Sequence, residues 1–196
     1  MTSTYKPQLY FIGIVPPEPI YSEIKEFQNH FATTYNAKEA LKHPTHITLI
    51  IPFQISSEHD ERLQLYLKSL ASKHQKFEAA IDGFSSFTAG VVYAAFAPNE
   101  FLKKIHKELS QNFYKKFALT DQRGPSHAFV PHITLAFKDL SPTVFNSAKA
   151  EFDKKIYRRK WMVSDIALFR HTGKEWIVQS RFPLGTAMEN ELQFLF

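Results

Sequence analysis

Two kinds of apolar spacing divide the first part of the chain into a strand and a helix. Residues 9 to 20, "LYFIGIVPPEPI", form a β-rich run that stops at Pro16 and Pro17. Apolar side chains then recur at helical spacing. They are Ile20, Ile24, Phe27 and Phe31. The pattern predicts a strand followed by an amphipathic helix.

The same order recurs near the middle of the chain. Residues 91 to 117, "VVYAAFAPNEFLKKIHKELSQNFYKKF", start as a strand that stops at Pro98, and Asn99 is a suitable helix N-cap. Apolar residues follow at helical spacing at Leu102, Ile105, Leu109 and Phe113. Gln28-Asn29 in the first helix also has a sequence counterpart in Gln111-Asn112. The chain therefore contains two similar segments.

Each predicted helix is followed by a loop and the segment His-Ile-Thr-Leu, at 46–49 and again 86 residues later at 132–135. Alternating apolar and β-branched residues are typical of a strand. A second helix is predicted after each copy. The first lies near 58–72 with Ser57 at its start, and the other near 142–154 with Ser141 as cap and Pro142 in its first turn. Further strands are predicted at 76–87 and 160–170, and a turn at 171–174 leads into a last strand.

These elements predict an α+β fold made of two similar halves. Each half has the order strand, helix, strand, helix, strand, and then a turn into one more strand. We expect a single bilobal domain over 1–196, with pseudo-twofold-related halves of about 1–88 and 89–196 and antiparallel sheets around a central cleft. Exchange of strands between the two halves stays open.

The charge of the chain favours an anionic partner. Its formal net charge is +5 and its pI is about 9.3, which suits a nucleotide or RNA. The densest basic segment, "KKIYRRK" at 154–160, is either an RNA contact or a solvated helix end. The N-terminal residues resemble neither a signal peptide nor a membrane span, so a cytoplasmic protein without membrane association is expected.

The repeated His-x-Thr pattern is a candidate for phosphodiester chemistry. Side chains alternate along a strand, so His46 and Thr48 share one face while Ile47 and Leu49 share the other. If the halves are related by a twofold axis, His132 and Thr134 face the same cleft. One imidazole can then take a proton from water while the other protonates a leaving ribose oxygen, and the hydroxyls can bind phosphoryl oxygens. Which histidine is the acid stays open.

Other kinds of site have little support in this sequence. The absence of cysteine excludes disulfides, Cys-based zinc sites and a thiol nucleophile, and there is no Gly-rich phosphate loop. Pro44 disfavours a helix that would bring His43 and His46 to one metal. We therefore expect neither a metal nor another cofactor. The remaining histidines are interpreted as surface, cap or loop residues, with His43 and His127 as candidates for the cleft rim.

With its two His-x-Thr motifs the chain resembles the 2H phosphoesterase superfamily, which includes 2'-5' RNA ligase-like proteins and cyclic nucleotide phosphodiesterases. The resemblance covers most of the chain. It implies a bilobal α+β fold and metal-independent action on 2',3'-cyclic phosphates or 2'-5' linkages of nucleotides or RNA. It also implies that His46 and His132 are acid and base and that Thr48 and Thr134 contact the phosphate. No obligate protein partner is implied.

The chain departs from many relatives directly after each motif. It has Ile51-Pro52-Phe53 where they carry Phe-Leu-Gly, and Phe137-Lys138 where they carry Arg. Three residues are candidates to supply a cation in place of that arginine: Lys138, Arg123 and Arg170. Phe53 and Phe137 are candidates to stack on a base. A 2'-5' RNA ligase or 2'-5' phosphodiesterase, and a non-catalytic RNA- or nucleotide-binding module, are the alternative functions.

Overall fold

The computed structural model describes residues 6–87, 90–120 and 128–185. Within those ranges the chain forms eight strands and four α-helices. In chain order they are β1 (Pro7–Ile14), α1 (Ile20–Thr34), β2 (Ile47–Ser56), α2 (Asp60–Ser72), β3 (Phe77–Phe87), β4 (Val91–Phe96), α3 (Glu100–Lys116), β5 (His132–Ala136), α4 (Pro142–Phe152), β6 (Arg158–Val163), β7 (Asp165–His171) and β8 (Trp176–Pro183).

The strands form two four-stranded antiparallel sheets, with the orders β2-β1-β7-β8 and β5-β4-β3-β6. The predicted α+β fold class with antiparallel sheets is confirmed. Each sheet contains strands from both halves of the chain, since β7 and β8 join β1 and β2, while β3 joins β4, β5 and β6. We call them the β1 sheet and the β4 sheet. In both, the strand with the His-x-Thr motif is an edge strand.

The first helix of each half packs against the sheet that contains the other half's motif strand. Helix α1 packs against β5 and α3 against β2, whereas α2 packs against β8 and α4 against β3. Phe27 of α1 accordingly contacts Phe84 of β3, and Phe113 of α3 contacts Phe53 of β2. Each sheet is therefore covered by one helix from each half, and the apolar core is continuous across both halves.

The helix starts agree with the sequence in part. The Asn99 side chain caps α3 by accepting a hydrogen bond from the backbone N–H of Leu102 at 3.0 Å. Ser141 is the N-cap residue of α4, but its hydroxyl lies 2.8 Å from the Thr143 hydroxyl and not on the helix backbone. Ser57 does not cap α2, because a 3-10 turn over Ser57–His59 precedes the helix.

The single strand predicted at 160–170 is wrong, because the chain forms two strands there, in different sheets. The β6 strand alternates, with Trp161 and Val163 buried and Met162 57% exposed. After Ser164 the chain enters β7, which lies between β1 and β8 and buries Ile166–Phe169 on both faces. The predicted turn is present, and the Thr172 N–H donates to the Glu175 carbonyl at 2.9 Å. None of the helices in the described ranges is long and apolar enough to cross a membrane.

Candidate functional site

The two motif strands meet at the boundary between the sheets, where β2 and β5 contact each other. Ile47, Leu49, Ile133 and Leu135 are at most 1% exposed, whereas the His and Thr side chains of both motifs are partly exposed. The alternation expected of a strand therefore holds in both copies. His46 directly precedes β2, and His132 is the first residue of β5.

A glycine brings the backbone of β1 close to the first motif. Gly13 pairs with Thr48, and a Cβ atom on Gly13 would lie 2.5 Å from the carbonyl oxygen of Ile47. The β1–β2 register is irregular on either side of Ile12. Only glycine allows the two strands to approach this closely. The close approach fixes the positions of Ile47 and Thr48, which directly follow His46.

The two motif histidines have the same backbone hydrogen bond. Nδ1–H of His46 donates to the Pro44 carbonyl at 2.6 Å, and Nδ1–H of His132 donates to the Val130 carbonyl at 2.8 Å. In each case the acceptor lies two residues earlier in the chain. This tautomer puts the lone pair of the neutral ring on Nε2, which is the nitrogen that can accept a proton.

Each ring also packs against two aromatic side chains in equivalent positions. His46 lies 4.4 Å from Phe11 of β1 and 5.5 Å from Phe169 of β7, measured between ring centroids. His132 lies 5.1 Å from both Tyr93 of β4 and Phe87 of β3. One partner comes from the strand next to the motif strand and the other from the strand beyond it. The packing and the Nδ1 bond together restrict the ring orientation in both halves.

A cavity of about 180 Å³ opens beside these strands. His46, Thr48 and Thr134 line it, so three of the four predicted motif side chains share one cavity. His132 is not among the lining residues, although it is close enough for its charge to lower the pKa of His46. The other lining residues are Phe11, Gln28, Ala40, His43, Pro44, Pro52, Ile133, Phe137 and Trp176.

The surroundings of His46 favour its neutral form. Burial lowers the pKa of His46 to about 4, against the opposite effect of the bond to the Pro44 carbonyl, and the nearby His43, His132 and Lys25 act in the same direction as burial. A ring with this pKa carries no charge at pH 7. Its Nε2 lone pair is therefore available to a reactant at physiological pH, although the low pKa makes the ring a weak base in the free protein.

The loop before the first motif is held by two charged side chains from elsewhere in the chain. The Lys25 ammonium of α1 donates to the carbonyls of Leu41 and His43, at 3.3 and 2.6 Å. The Asp139 carboxylate, just beyond β5, accepts from the backbone N–H groups of Lys38 and Glu39 at 2.5 and 2.9 Å. This loop therefore links the end of the second motif strand to the start of the first.

Three further residues of the cavity are not among the predicted catalytic or phosphate-binding residues, and of these only His43 was predicted from the sequence, as a candidate for the cleft rim. His43 lines the cavity, and burial with the nearby Lys138 charge lowers its pKa. Trp176 of β8 lies at 4.7 Å from Phe11. Gln28 reaches the cavity from α1. For His43 the signal was its position three residues before His46, whereas Trp176 and Gln28 come from elements whose packing the sequence does not predict.

The additional candidates have different positions. Phe137 lines the cavity, and the exposed Lys138 has its ammonium 5.2 Å from the Phe137 ring centroid. Arg170 lies on the other face of β7 from Phe169, where its charge acts on the hydroxyl of Tyr10. Arg123 and His127 lie outside the described residues.

Phe53 is a core residue, which corrects its assignment as a substrate contact. It is 7% exposed and packs 5.9 Å from Tyr10 and 4.7 Å from Phe113 of α3. It pairs with Tyr10 across β1 and β2, and its ring lies on the buried face of β2.

The basic segment at 154–160 is largely paired with carboxylates. Its ion pairs are Lys155–Glu151, Arg158–Asp82, Arg159–Glu23 and Lys160–Glu78. Of the two interpretations of this segment, these ion pairs favour a solvated surface over a dedicated RNA contact. Within the described ranges, no three His, Asp or Glu side chains are grouped in a way that could hold a metal ion.

Comparisons with known proteins identify the family and the relatives of this chain. The family model of the 2'-5' RNA ligase superfamily matches residues 16–175. A Geobacillus sp. (strain WCH70) protein named "Putative phosphoesterase GWCH70_0799" is 30% identical over 133 residues, covering 67% of this chain and 69% of the relative. A Bacillus cytotoxicus protein named "Putative phosphoesterase Bcer98_0945" is 31% identical over 165 residues, covering 83% of this chain and 91% of the relative.

A solved structure shows the same fold at lower identity. The crystal structure of E. coli LigT complexed with 3'-AMP is 21% identical and has a TM-score of 0.62, covering 92% of this chain and all of the LigT chain. LigT has also been crystallised with NADP+, ATP and phosphate.

Proposed function

Since the chain belongs to the 2'-5' RNA ligase superfamily, we propose that it is a phosphodiesterase that opens 2',3'-cyclic phosphates of nucleotides or RNA ends without a metal ion. The observation that carries the proposal is the equivalent setting of His46 and His132. Each has an Nδ1 bond to the carbonyl two residues earlier and packs against two aromatic rings. The complexes of LigT with 3'-AMP and ATP support a nucleotide as the ligand of this chain.

In the proposed reaction His46 is the base. Its lowered pKa keeps Nε2 unprotonated at pH 7, so it accepts a proton from the attacking water. The water oxygen forms a bond to phosphorus as the bond from phosphorus to one ribose oxygen breaks. His132, as imidazolium, gives its proton to that oxygen. One water molecule is consumed, and the product carries a phosphomonoester next to a free hydroxyl.

The two threonines bind the phosphoryl oxygens in this scheme. Thr48 and Thr134 line the cavity from opposite strands, and a hydroxyl donor stabilises negative charge that develops on a non-bridging oxygen. Phe137 and Trp176 supply aromatic surface at the cavity for the nucleobase.

The test is hydrolysis of 2',3'-cyclic AMP in EDTA, followed by phosphorus NMR, with His46→Gln and His132→Gln. We expect each variant to lose about 10² to 10⁴-fold in kcat while its melting temperature stays near that of the wild type. His59→Gln is the matched control, because His59 is exposed and lies outside the cavity. Full activity of either motif variant would contradict the two-histidine mechanism.

The family description favours a second substrate class, the 2'-5' linkage. Adding 2'-5' oligoadenylate and RNA ends to the same assay distinguishes a 2'-5' phosphodiesterase or ligase from the cyclic phosphodiesterase. Salt-sensitive nucleotide binding without turnover of any of these substrates would identify a binding module instead.

A further inference from the structure

Gln28 is a polar residue on the otherwise apolar buried face of α1. It is 2% exposed, and its neighbours on that face are the apolar residues Ile20, Ile24 and Phe31. The corresponding face of α3 is entirely apolar, with Leu109 one turn before Phe113. Gln111, the sequence counterpart of Gln28, is exposed. Packing of a helix against a sheet therefore does not by itself require a glutamine on the buried face.

The hydrogen bonds of Gln28 fix the orientation of its amide. Nε2 donates to the carbonyl oxygen of Thr134 at 2.9 Å, and because a carbonyl only accepts, the amide nitrogen must face it. Oε1 is buried and has no hydrogen-bond partner among the described residues. A buried acceptor without a donor costs folding free energy, so such groups call for an explanation.

The position of Gln28 indicates which kind of group can satisfy Oε1. Gln28 lines the same cavity as Thr48 and Thr134, and its amide is bonded to the residue whose hydroxyl is the proposed phosphate contact. Phosphoryl oxygens are acceptors and cannot pair with Oε1. The partner must be a hydrogen-bond donor next to the phosphate, and the donors that the proposed reaction brings to that place are O–H groups.

We propose that Gln28 is a specificity residue whose Oε1 accepts a hydrogen bond from an O–H group beside the bound phosphate. The proposal rests on the proposed function of the same cavity. Two sources supply this chemistry: the ribose hydroxyl that ring opening frees beside the phosphate of the product, because a 2',3'-cyclic phosphate has no free hydroxyl there, and the attacking water. Because Oε1 is already removed from water in the folded protein, a ligand that brings the donor gains the bond without desolvating the acceptor. A ligand that lacks it leaves Oε1 unpaired.

Calorimetric binding of 3'-AMP and 2'-deoxyadenosine 3'-monophosphate to the full chain tests the ribose source. The two ligands differ only in the 2'-hydroxyl. We expect the wild type to bind 3'-AMP about tenfold more tightly, and Gln28→Met to bind both equally. Gln111→Met is the matched control and must keep the preference. If Gln28→Met does not fold, Gln28→Leu replaces it, since leucine packs on the buried face of α3 at Leu109.

Turnover distinguishes the water source. In that case the wild type binds the two ligands equally, and Gln28→Met lowers kcat for 2',3'-cyclic AMP about tenfold without changing KM. Unchanged ligand preference together with unchanged kcat would overturn the proposal. So would an equal loss of affinity for both ligands that follows a lower melting temperature, because that result marks a purely structural role. A wild type that binds nucleotides but turns over no cyclic phosphate contradicts the proposed function and leaves the ribose comparison decisive.

Discussion

At the scale of one residue, the lowered pKa of His46 predicts how the stability of the folded chain depends on pH. In the folded chain this pKa is about 4, whereas an unperturbed histidine titrates near pH 6.5. Between those values the unfolded chain binds more protons than the folded chain, so stability falls as the pH is lowered from about 6.5 to about 4. The loss is absent above that window.

Urea denaturation of the wild type and His46→Gln between pH 4 and 7.5 measures this effect. The wild type should lose stability relative to the variant as the pH falls, because glutamine does not titrate. His43 also has a lowered pKa, and comparing the two proteins cancels its contribution. Equal pH dependence of both proteins would show that His46 titrates normally in the folded state.

Two phenylalanines that the sequence treats alike should respond differently to truncation. Phe53→Ala removes a core ring packed against Tyr10 and Phe113, and should reduce the free energy of unfolding by roughly 3 to 5 kcal/mol. Phe137→Ala removes a half-buried ring at the cavity. It should leave most of that stability intact and weaken 3'-AMP binding, since stacking on a base contributes about 1–3 kcal/mol. Urea titration and calorimetry on both variants measure the contrast. A stable Phe53→Ala with impaired binding would reverse the two assignments.

At this scale, strand alternation predicts the facing of His46, Thr48, His132 and Thr134. The same rule does not extend to Phe53, because β2 is irregular between Thr48 and Phe53 and Ile50 is buried directly after Leu49. Gln28 could not be identified in this way. A glutamine in a helix is ordinarily exposed, and only the packing of α1 on β5 buries it.

At the scale of elements, the loop before β2 depends on Lys25 of α1. Its ammonium bonds two loop carbonyls, and burial lowers its pKa. Lys25→Met keeps the length of the side chain but removes both bonds. We expect kcat/KM for 2',3'-cyclic AMP to fall about tenfold, because the loop leads directly into His46. Lys103→Met is the control, since Lys103 is exposed and pairs with the exposed Glu100 on α3. Equal activity of the two variants would show that the loop holds its position without Lys25.

The helices and most strands follow from periodicity, but the division between β6 and β7 does not. Both segments are apolar and β-rich, and only a change from alternating to continuous burial at Ser164 separates them. In the sequence that change is visible as Trp161-Met162-Val163 followed by the uninterrupted run Ile166–Phe169. Because the two strands belong to different sheets, the distinction decides how the halves are connected.

At the scale of the whole molecule, the repeat predicts two similar halves but not their strand pairing. Periodicity shows which face of a strand is buried and gives no information about which strand lies beside it. Nothing in the sequence pattern of β3 or β7 indicates that each joins the sheet of the other half. The sequence also does not show that α1 and α3 each pack against the sheet with the other half's motif strand, because both helices have an ordinary apolar face.

This exchange predicts that the two sheets unfold together. Each sheet contains strands from both halves and is covered by one helix from each, so neither buries its apolar face alone. The chain has two tryptophans, Trp161 in the β4 sheet and Trp176 in the β1 sheet. Trp161→Phe and Trp176→Phe each leave one fluorescent probe. In urea, each variant's fluorescence should follow the same curve as its own circular dichroism signal, because both report one cooperative transition. Comparing the two signals within one variant removes any effect of the substitution on stability. A fluorescence midpoint that differs from the circular dichroism midpoint in either variant would show that the sheets are separate folding units, and that the exchanged strands do not couple them.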